Sequence, residues 1–224
     1  MNMTVTALWR YPVKTLGGER IETAELTLGG IPGDRIVHVR GPEGVRTSRR
    51  FHRLLGLHGS LGSNGEPLIN DLPWNSAEAL ALVRDAAGSD AWLEPNGLPG
   101  LFDVLPLLIA TDGAVKAFGR DVRRLRPNIL IGGVDGMAEV GWPGAMLSIG
   151  EAVIRLDSLR QRCPMTTIDP DTLELDKEVL RDINHRFGGR LALNAAIIRA
   201  GTIKTGDTVS LIREPIPSRS EKRR

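Results

Sequence analysis

Glycine and proline interrupt this chain so often that most of its regular elements must be short. There are 26 glycines and 14 prolines among 224 residues, and aromatic residues make up only 4%. The segments between them are rich in β-branched residues, which favours strands joined by turns over a helix bundle. The strand candidates are residues 3–9, 20–28, 35–40 and 102–110 and the later runs LALNAAIIR and DTVSLI. Because these strands outnumber the helices and follow no alternating order, the pattern predicts a β-rich, mixed α/β fold built on a β-barrel.

Two segments show a helical pattern with signals at both ends. NSAEALALVRDAAG can be capped by Asn75 or Ser76 and ended by Gly88, and DKEVLRDINHRFGG ends at Gly188. A third, shorter helix is expected from about residue 112.

Three other segments are expected to change the direction of the chain. MLSIGEAVIRLDSL, residues 146–159, predicts a hairpin that turns at Gly150. SLGSNGEPLINDLPW, residues 60–74, is typical of a loop or hairpin, and GTIKTGD, residues 201–207, of a turn between the last two strands.

The bulk composition is that of a globular protein with a small positive charge. Hydrophobic residues make up 41%, charged residues 25%, and the formal charge is +2. A single cysteine excludes an intramolecular disulfide and fits a reducing compartment. No secretion signal is evident, and the longest apolar run, VLPLLIA, is too short to cross a bilayer. We therefore expect a cytoplasmic protein without a membrane partner.

Most familiar signatures of catalysis and cofactor binding are absent. The sequence contains no GxGxxG, HExxH or CxxC motif, and its four histidines have no metal-ligand spacing. One cysteine also excludes a cysteine-rich zinc or iron–sulfur site. The residues left for chemistry are Cys163 and several clustered arginines.

Cys163 lies in a setting that a buried filler does not require. A lone cysteine in a β-rich protein is usually a small buried hydrophobe. Here Arg162 would stabilise the thiolate, and Pro164 stiffens the chain directly after it. Thr166 and Thr167 add two hydroxyls to the same loop. These neighbours favour a nucleophilic or metal-binding thiolate over the filler.

Two stretches of the chain concentrate arginine. They are VRTSRRFHR, with Arg46, Arg49, Arg50 and Arg53, and GRDVRRLRPN, with Arg120, Arg123, Arg124 and Arg126. A solvated surface is the ordinary explanation, and RNA binding is a second one that the scarcity of interleaved aromatic residues disfavours. A third explanation is a pocket for a small anionic ligand, because arginine binds phosphate through paired hydrogen bonds.

Five motifs occur in chain order between residue 9 and about residue 212. They are RYPVKT at 10–15, GDR at 33–35, LRPNI at 125–129, RCPMTTIDPDT at 162–172 and GTIKTGD at 201–207. In this order they resemble the motifs of the MOSC family, which is named for the C-terminal domain of molybdenum cofactor sulfurase and includes the amidoxime reducing components. The resemblance leaves Pro164 unexplained, because some relatives carry an ordinary aliphatic residue after the cysteine.

The resemblance implies a specific architecture. The expected fold is a MOSC β-barrel with an N-terminal β-barrel-like subdomain and a few short helices. Residues 1–96 would form the N-terminal domain, 97–214 the MOSC domain and 215–224 a flexible basic tail. The loop EPNGLPG, at 94–100, marks the expected boundary between the two domains.

The resemblance also implies a cofactor and the residues that hold it. In the family the motif cysteine supplies a thiolate to the molybdenum of a pyranopterin cofactor, Mo-molybdopterin, and this role falls on Cys163. A soft thiolate suits such a metal centre. The implied cofactor contacts are Lys14, Thr15, Arg35, Arg49, Thr111, Arg126, Asn128 and Arg162. Arg53 also lies where the family has an arginine.

The implied activity is the reduction of small N-hydroxylated compounds to amines by oxygen-atom transfer. No cysteine remains for an iron–sulfur cluster, so electrons would come from a separate ferredoxin, small haem protein or flavoprotein reductase. Two alternatives stay open: a carrier that holds sulfur or the cofactor on Cys163, and, less favoured, an RNA-binding module. No proton donor is identified: Asp169, Asp171 and Glu174 lie close together after the cysteine, but a turn aspartate more often caps the backbone than donates a proton.

Overall fold

The computed structural model of the protein describes residues 2–95 and 102–213. The strands of this part of the chain are β1 (Met3–Arg10), β2 (Glu19–Ile21), β3 (Thr23–Leu26), β4 (Val37–Gly41), β5 (Gly44–Val45), β6 (Gly59–Leu61), β7 (Pro67–Ile69), β8 (Leu72–Pro73), β9 (Trp92–Pro95), β10 (Leu107–Thr111), β11 (Ile129–Gly132), β12 (Met146–Ile149), β13 (Ala152–Gln161), β14 (Arg190–Arg199), β15 (Gly201–Lys204) and β16 (Thr208–Ile212). The α-helices are α1 (Ala77–Ala87), α2 (Asp112–Phe118) and α3 (Lys177–Phe187). Short 3-10 helices cover His52–Gly56, Val122–Arg124, Ala138–Gly141 and Pro164–Thr167.

Seven strands form a closed barrel. Their order is β11–β10–β14–β13–β12–β16–β1, and pairing of β1 with β11 closes the ring. Only the β10–β11 pair of this ring is parallel. Aliphatic side chains such as Leu8, Ile109, Ile154 and Leu193 fill the interior, as alternation of inward and outward residues requires. The predicted β-rich, mixed α/β barrel is confirmed.

A second hydrophobic core lies among the residues that precede the barrel's central strands. It joins Val13, Val39 and Leu54 to the buried face of α1, including Val83. The first part of the chain is nevertheless divided between the two cores, because Leu26 packs inside the barrel. The predicted domain junctions at 96/97 and 214/215, and the tail at 215–224, lie outside the described residues and stay predictions.

Both predicted amphipathic helices begin and end at the expected residues. The Ser76 hydroxyl accepts a hydrogen bond from the Ala79 N–H at 3.1 Å, and Gly88 follows α1. Gly188, with φ of 58°, ends α3 in the left-handed conformation that glycine adopts readily. None of the helices in the described ranges is long and apolar enough to span a membrane.

Two of the predicted turns are present, whereas one turn and two strands differ from the prediction. The hairpin at Gly150 and the β6–β7 hairpin are present as expected. GTIKTGD is not simply a turn, because its first four residues form β15, paired with the distant β3. The predicted strand at 20–28 is interrupted at Glu22 to give β2 and β3. The strand expected from residue 102 begins only at Leu107.

Candidate functional site

Loops beside the barrel converge on one cation-rich cavity. The cations that line it are Lys14, Arg35, Arg49, Arg124, Arg126, Arg160 and Arg162. Cys163 lies at its wall, directly after the end of β13. Asp103 is the only carboxylate in the described part of the lining, so the cavity carries a strong excess of positive charge.

Three of the predicted cofactor contacts have a left-handed backbone. Thr15, Arg35 and Arg126 have φ values of 80°, 58° and 56°. This conformation is uncommon for residues with a side chain and especially costly for a β-branched threonine. Such strain persists where the surrounding structure fixes it, and it concentrates at functional sites. Here the left-handed conformation lies at three residues of separate loops, and all three side chains line the same cavity.

Tyr11 supports two of these arginines. The Arg126 guanidinium lies 4.2 Å from the centre of the Tyr11 ring, and that of Arg35 lies 5.3 Å away. Burial raises the pKa of the Tyr11 phenol to about 12, and its hydroxyl donates to the Pro127 carbonyl at 3.0 Å. Arg126 also donates to the Leu16 carbonyl at 2.6 Å. The ring and these bonds fix both guanidinium groups at the cavity.

The Asp34 carboxylate connects three of the sequence motifs. It accepts a hydrogen bond from the Tyr11 N–H at 2.7 Å and another from the Asn128 amide at 3.3 Å. It also pairs with Arg35 of its own motif. Burial raises the pKa of this carboxyl, while the charge of Arg35 opposes the rise. RYPVKT, GDR and LRPNI are therefore held together by one buried aspartate.

The cysteine motif folds into a 3-10 helix that starts directly after the thiol. Cys163 is the N-cap, and its carbonyl accepts hydrogen bonds from the Thr166 N–H at 3.0 Å and the Thr166 hydroxyl at 2.9 Å. The Thr167 hydroxyl donates to the Pro164 carbonyl at 2.7 Å. Pro164 is the first helical residue, where a missing N–H carries no cost and the fixed φ favours the turn. The structure thus explains the proline that the resemblance left open.

Asp169, in the turn that follows this 3-10 helix, holds the helix through Arg124. One of its carboxylate oxygens accepts the Asp171 and Thr172 N–H groups, both at 3.0 Å. The other accepts from Arg124 at 2.8 Å, and Arg124 also donates to the Thr166 carbonyl. The backbone hydrogen bonds, that of Thr172 foremost, lower the pKa of Asp169. The expectation that this turn aspartate caps the backbone is confirmed.

Three of the cavity's cations have no carboxylate partner within residues 2–95 and 102–213. They are Arg49, Arg126 and Arg162. Burial lowers the pKa of both Arg126 and Arg162 to about 10, and neighbouring arginines add to the effect. The Arg162 Nε atom is buried and has no acceptor in the described structure. An anion bound among these groups would relieve both penalties.

The hydrogen-bond donors of the cavity suit a phosphorylated ligand, but its volume accommodates only part of a pyranopterin cofactor. The cavity measures about 100 Å³, which is enough for a phosphate-sized group. A whole pyranopterin is larger and would extend through the mouth or displace the bordering residues 102–105. Asp103 lies at this border and pairs with Lys14 at 3.0 Å and with Arg160 at 3.1 Å. In the described ranges no cluster of three or more His, Cys, Asp or Glu side chains could hold a metal ion.

Eight of the nine predicted site residues line this cavity: Lys14, Thr15, Arg35, Arg49, Arg126, Asn128, Arg162 and Cys163. Thr111 is the exception, because its buried hydroxyl caps α2 by accepting from the Ala114 N–H at 3.2 Å. Asn128 forms part of the wall, but its amide is used within the protein. It accepts from the Leu108 N–H and donates to Asp34.

Most arginines of the two arginine-rich stretches either line the cavity or pair with an acid. Arg46 pairs with Asp90, and Arg53 with Asp85. In the second stretch Arg123 pairs with both Asp121 and Asp171. Most of these charges are therefore balanced inside the protein, which weakens the RNA-binding explanation. Arg49, Arg124 and Arg126 are the members that reach the cavity.

Asp103, Arg160 and Asn194 line the cavity but were not among the site residues predicted from the sequence. Arg160 donates to the Asn194 amide oxygen at 3.4 Å, and all three side chains line the cavity. A signal was present for two of them. Asn194 is the only polar residue in the middle of an apolar strand, and Arg160 lies two residues before Arg162, so both project from the same side of an extended chain.

Comparisons with known proteins identify the family and the fold. The family model described as the MOSC domain matches residues 113–210. The chain is 33% identical to "mitochondrial amidoxime reducing component 2" of Macaca fascicularis, over 78% of this chain and 69% of that protein. It is 27% identical to "mitochondrial amidoxime-reducing component 1" of Homo sapiens, over 93% and 83% of the two chains. The crystal structure of the YuaD protein from Bacillus subtilis shares the fold, with a TM-score of 0.55 at 14% identity over 96% and 98% of the chains. The chain belongs to the MOSC domain family.

Proposed function

We propose that the chain holds a molybdenum cofactor, Mo-molybdopterin, in the cation-rich cavity and reduces small N-hydroxylated compounds there. The observation that carries the proposal is the meeting of a cluster of unbalanced arginines with the single cysteine. The names of the relatives, amidoxime-reducing components, support a reductase. Amidoximes, hydroxylamines and N-hydroxylated bases share the N–O bond that such a reductase would cleave.

The lining residues would divide the work of holding the cofactor. Arg126 and Arg162, whose charges lack a carboxylate partner in the described structure, would bind the phosphate. Cys163 would supply a thiolate ligand to molybdenum, a soft ligand for a sulfur-rich centre. When bound, the cofactor would supply the two-electron redox chemistry.

The chain's own contribution would be orientation and electrostatics. Tyr11 and the Leu16 carbonyl hold Arg126 in place. The bonds from Thr166 to the Cys163 carbonyl fix the backbone that presents the sulfur. Fixed donors around a charged group cost no reorganisation when the reaction occurs.

The overall reaction would need an external source of electrons. Reduction of R–NH–OH to R–NH₂ and water consumes two electrons and two protons, with cleavage of the N–O bond. The only cysteine is assigned to molybdenum, so the chain has no cysteine for an iron–sulfur cluster of its own. The electrons would come from a separate ferredoxin, small haem protein or flavoprotein reductase.

The proposal can be tested by measuring molybdenum and pterin in protein purified from a host that makes the cofactor. We expect both in the wild type, together with reduction of benzamidoxime by reduced viologen. Cys163→Ala should lower this activity by at least about 100-fold. Ser210→Ala, an exposed single-atom truncation in β16, is the matched control and should behave as wild type. Wild-type protein without molybdenum and pterin would overturn the proposal. Loaded protein that reduces no amidoxime or hydroxylamine would instead indicate the cofactor carrier.

A further inference from the structure

A second cavity adjoins the cation-rich one. It has a volume of about 380 Å³ and lies between the 3-10 helix after Cys163 and helix α3. Arg49 lines both cavities, and Pro164, the residue that follows Cys163, lines the second. A molecule in this second cavity would therefore lie beside the thiol-bearing wall of the first.

The surface of the second cavity is mostly apolar, and Thr167 and Asn184 are the neutral polar residues of its lining. Ile168 forms its buried base, Leu180 of α3 is half-buried, and Pro164 and Leu175 present exposed apolar surface. Pockets for small molecules combine an apolar lining with a few polar groups that fix orientation. A flat hydrocarbon or aromatic body fits such a surface.

The rim of the second cavity is positively charged. Its charged lining residues are Arg49, Lys177 and Arg181, and the described lining includes no carboxylate. Arg181 is paired with Glu178 on the same helix. Arg49 and Lys177 have no such carboxylate partner in the described structure. These two cations complement a negative charge on the bound molecule.

The wall beside α3 is held by the backbone. The Asp169 N–H donates to the Glu174 carbonyl at 2.9 Å, and the Asp176 N–H donates to the Thr167 carbonyl at 2.8 Å. Ile168 and Leu175 face each other in an antiparallel bridge. The cavity is therefore formed before anything binds, which lowers the entropic cost of binding.

We infer that this second cavity is the substrate subsite and that it selects N-hydroxylated compounds with an apolar body and a carboxylate. The apolar surface would take the body, and Lys177 would take the acid group. The N–O end would then point past Pro164 toward Cys163. This inference rests on the proposed function, because it names the substrate class of the same site.

Equilibrium binding to the oxidised protein without an electron donor tests the inference, because no turnover occurs. The probes are benzamidoxime and its 4-carboxylate, which differ only in the acid group. We expect the 4-carboxylate to bind about three- to tenfold more tightly, as one partly exposed charge pair allows. Lys177→Gln should remove this preference and leave benzamidoxime binding unchanged. Lys116→Gln, an exposed lysine on α2 outside both cavities, is the matched control and should keep the preference.

A second variant tests the apolar wall separately from the charge. Leu180→Ser should weaken both probes by a similar factor, because it removes apolar contact from the shared body. Equal affinity of wild type for the two probes, or an unchanged preference in Lys177→Gln, would overturn the inference. Either result leaves the reductase proposal standing, since that proposal depends on molybdenum content and turnover. Protein that lacks the cofactor but still shows the charge preference would instead count against the reductase alone.

Discussion

Asp34 and Asp169 hold different lining residues of the same cavity, and they do so by opposite physical means. The Asp34 side chain is fully buried and ties three motifs from the N-terminal half and the β10–β11 connection. The Asp169 side chain is 33% exposed and ties backbone within its own turn to one arginine. Burial raises the pKa of the first carboxyl, whereas hydrogen bonds lower the pKa of the second.

The difference shows two ways in which a site can be held in place. A buried carboxylate joins distant segments but carries a desolvation cost that its partners must offset. A partly exposed carboxylate in a turn keeps most of its hydration and orders only the local chain. We therefore expect loss of Asp34 to affect the whole protein and loss of Asp169 to affect mainly the loop that presents Cys163.

The largest effect is expected for Asp34→Ala. The substitution leaves the Tyr11 N–H, the Asn128 amide and the Arg35 guanidinium without their buried acceptor. Breaking a buried pair on one side typically costs about 3 kcal/mol or more. Urea unfolding followed by circular dichroism would measure the free energy of unfolding. A loss below about 1 kcal/mol would show that Asp34 is not the central connection.

Gly18→Ala probes the packing of Tyr11, the residue whose N–H donates to Asp34. A methyl group at residue 18 would lie 2.3 Å from the Tyr11 ring and 2.5 Å from the Arg10 carbonyl oxygen. Overpacking of this kind costs about 1–3 kcal/mol, and displacement of the ring would also shift Arg126. Gly141→Ala is the matched control, because no atom lies within 4 Å of its added methyl group. Equal melting temperatures of the two variants would contradict the close packing of Tyr11.

Asp169→Ala should destabilise the protein less than either of these changes. It removes the cap on the Asp171 and Thr172 N–H groups and leaves the Thr166 carbonyl as the remaining link between Arg124 and this loop. Because the loop loses local order, we expect faster alkylation of Cys163 by iodoacetamide than in wild type. Thr202→Ala, an exposed change in β15, serves as the control. An unchanged alkylation rate would mean that Thr166 and Pro164 alone fix the loop.

The smallest expected effect is a pH dependence of opposite sign at the two aspartates. The raised pKa of Asp34 means that this group favours folding less as pH rises above about 4, near its unfolded value. The lowered pKa of Asp169 means that its stabilisation is present above about pH 4 and is lost as pH falls. Relative to wild type, Asp34→Asn should therefore gain stability from pH 4 to 7. Asp169→Asn should approach wild type as pH falls from 4 to 3. The free energy of unfolding of each variant is measured relative to wild type. As pH rises, this difference should become more favourable for Asp34→Asn and less favourable for Asp169→Asn. A change of the same sign in both variants would refute the opposite pKa shifts.

Local signals predicted the helices and the Gly150 hairpin because their determinants lie within a few residues. Ser76 and Gly88 frame α1, and Gly188 ends α3, as their residue types favour. β15 was missed because its partner β3 lies far away in sequence, and no local pattern reports such pairing. The late start of β10 has a similar cause, since residues 102–105 border the cavity instead of joining the sheet.

Site residues that lie in a motif could be predicted from the sequence. Site residues that only the fold brings to the cavity could not. The motifs marked Cys163, Arg162 and Arg126, and the structure brings them together. They did not mark Asn194, which reaches the cavity through the register of β14 with β13. Thr111 differs from these residues, because its hydroxyl caps α2, a role for which a hydroxyl after a strand is well suited, and its contact with the cofactor stays a prediction.

Closure of the barrel has a consequence for how the chain folds. β1 and β16, the first and last strands of the described residues, pair through Met3 and Val209. The ring therefore cannot close until nearly the whole chain is available, and contacts of such long sequence separation slow folding. Until then β1 and β12 each lack one neighbouring strand, and unpaired edges promote association between chains. We expect refolding yields to fall steeply with protein concentration, and chains truncated before residue 208 to aggregate.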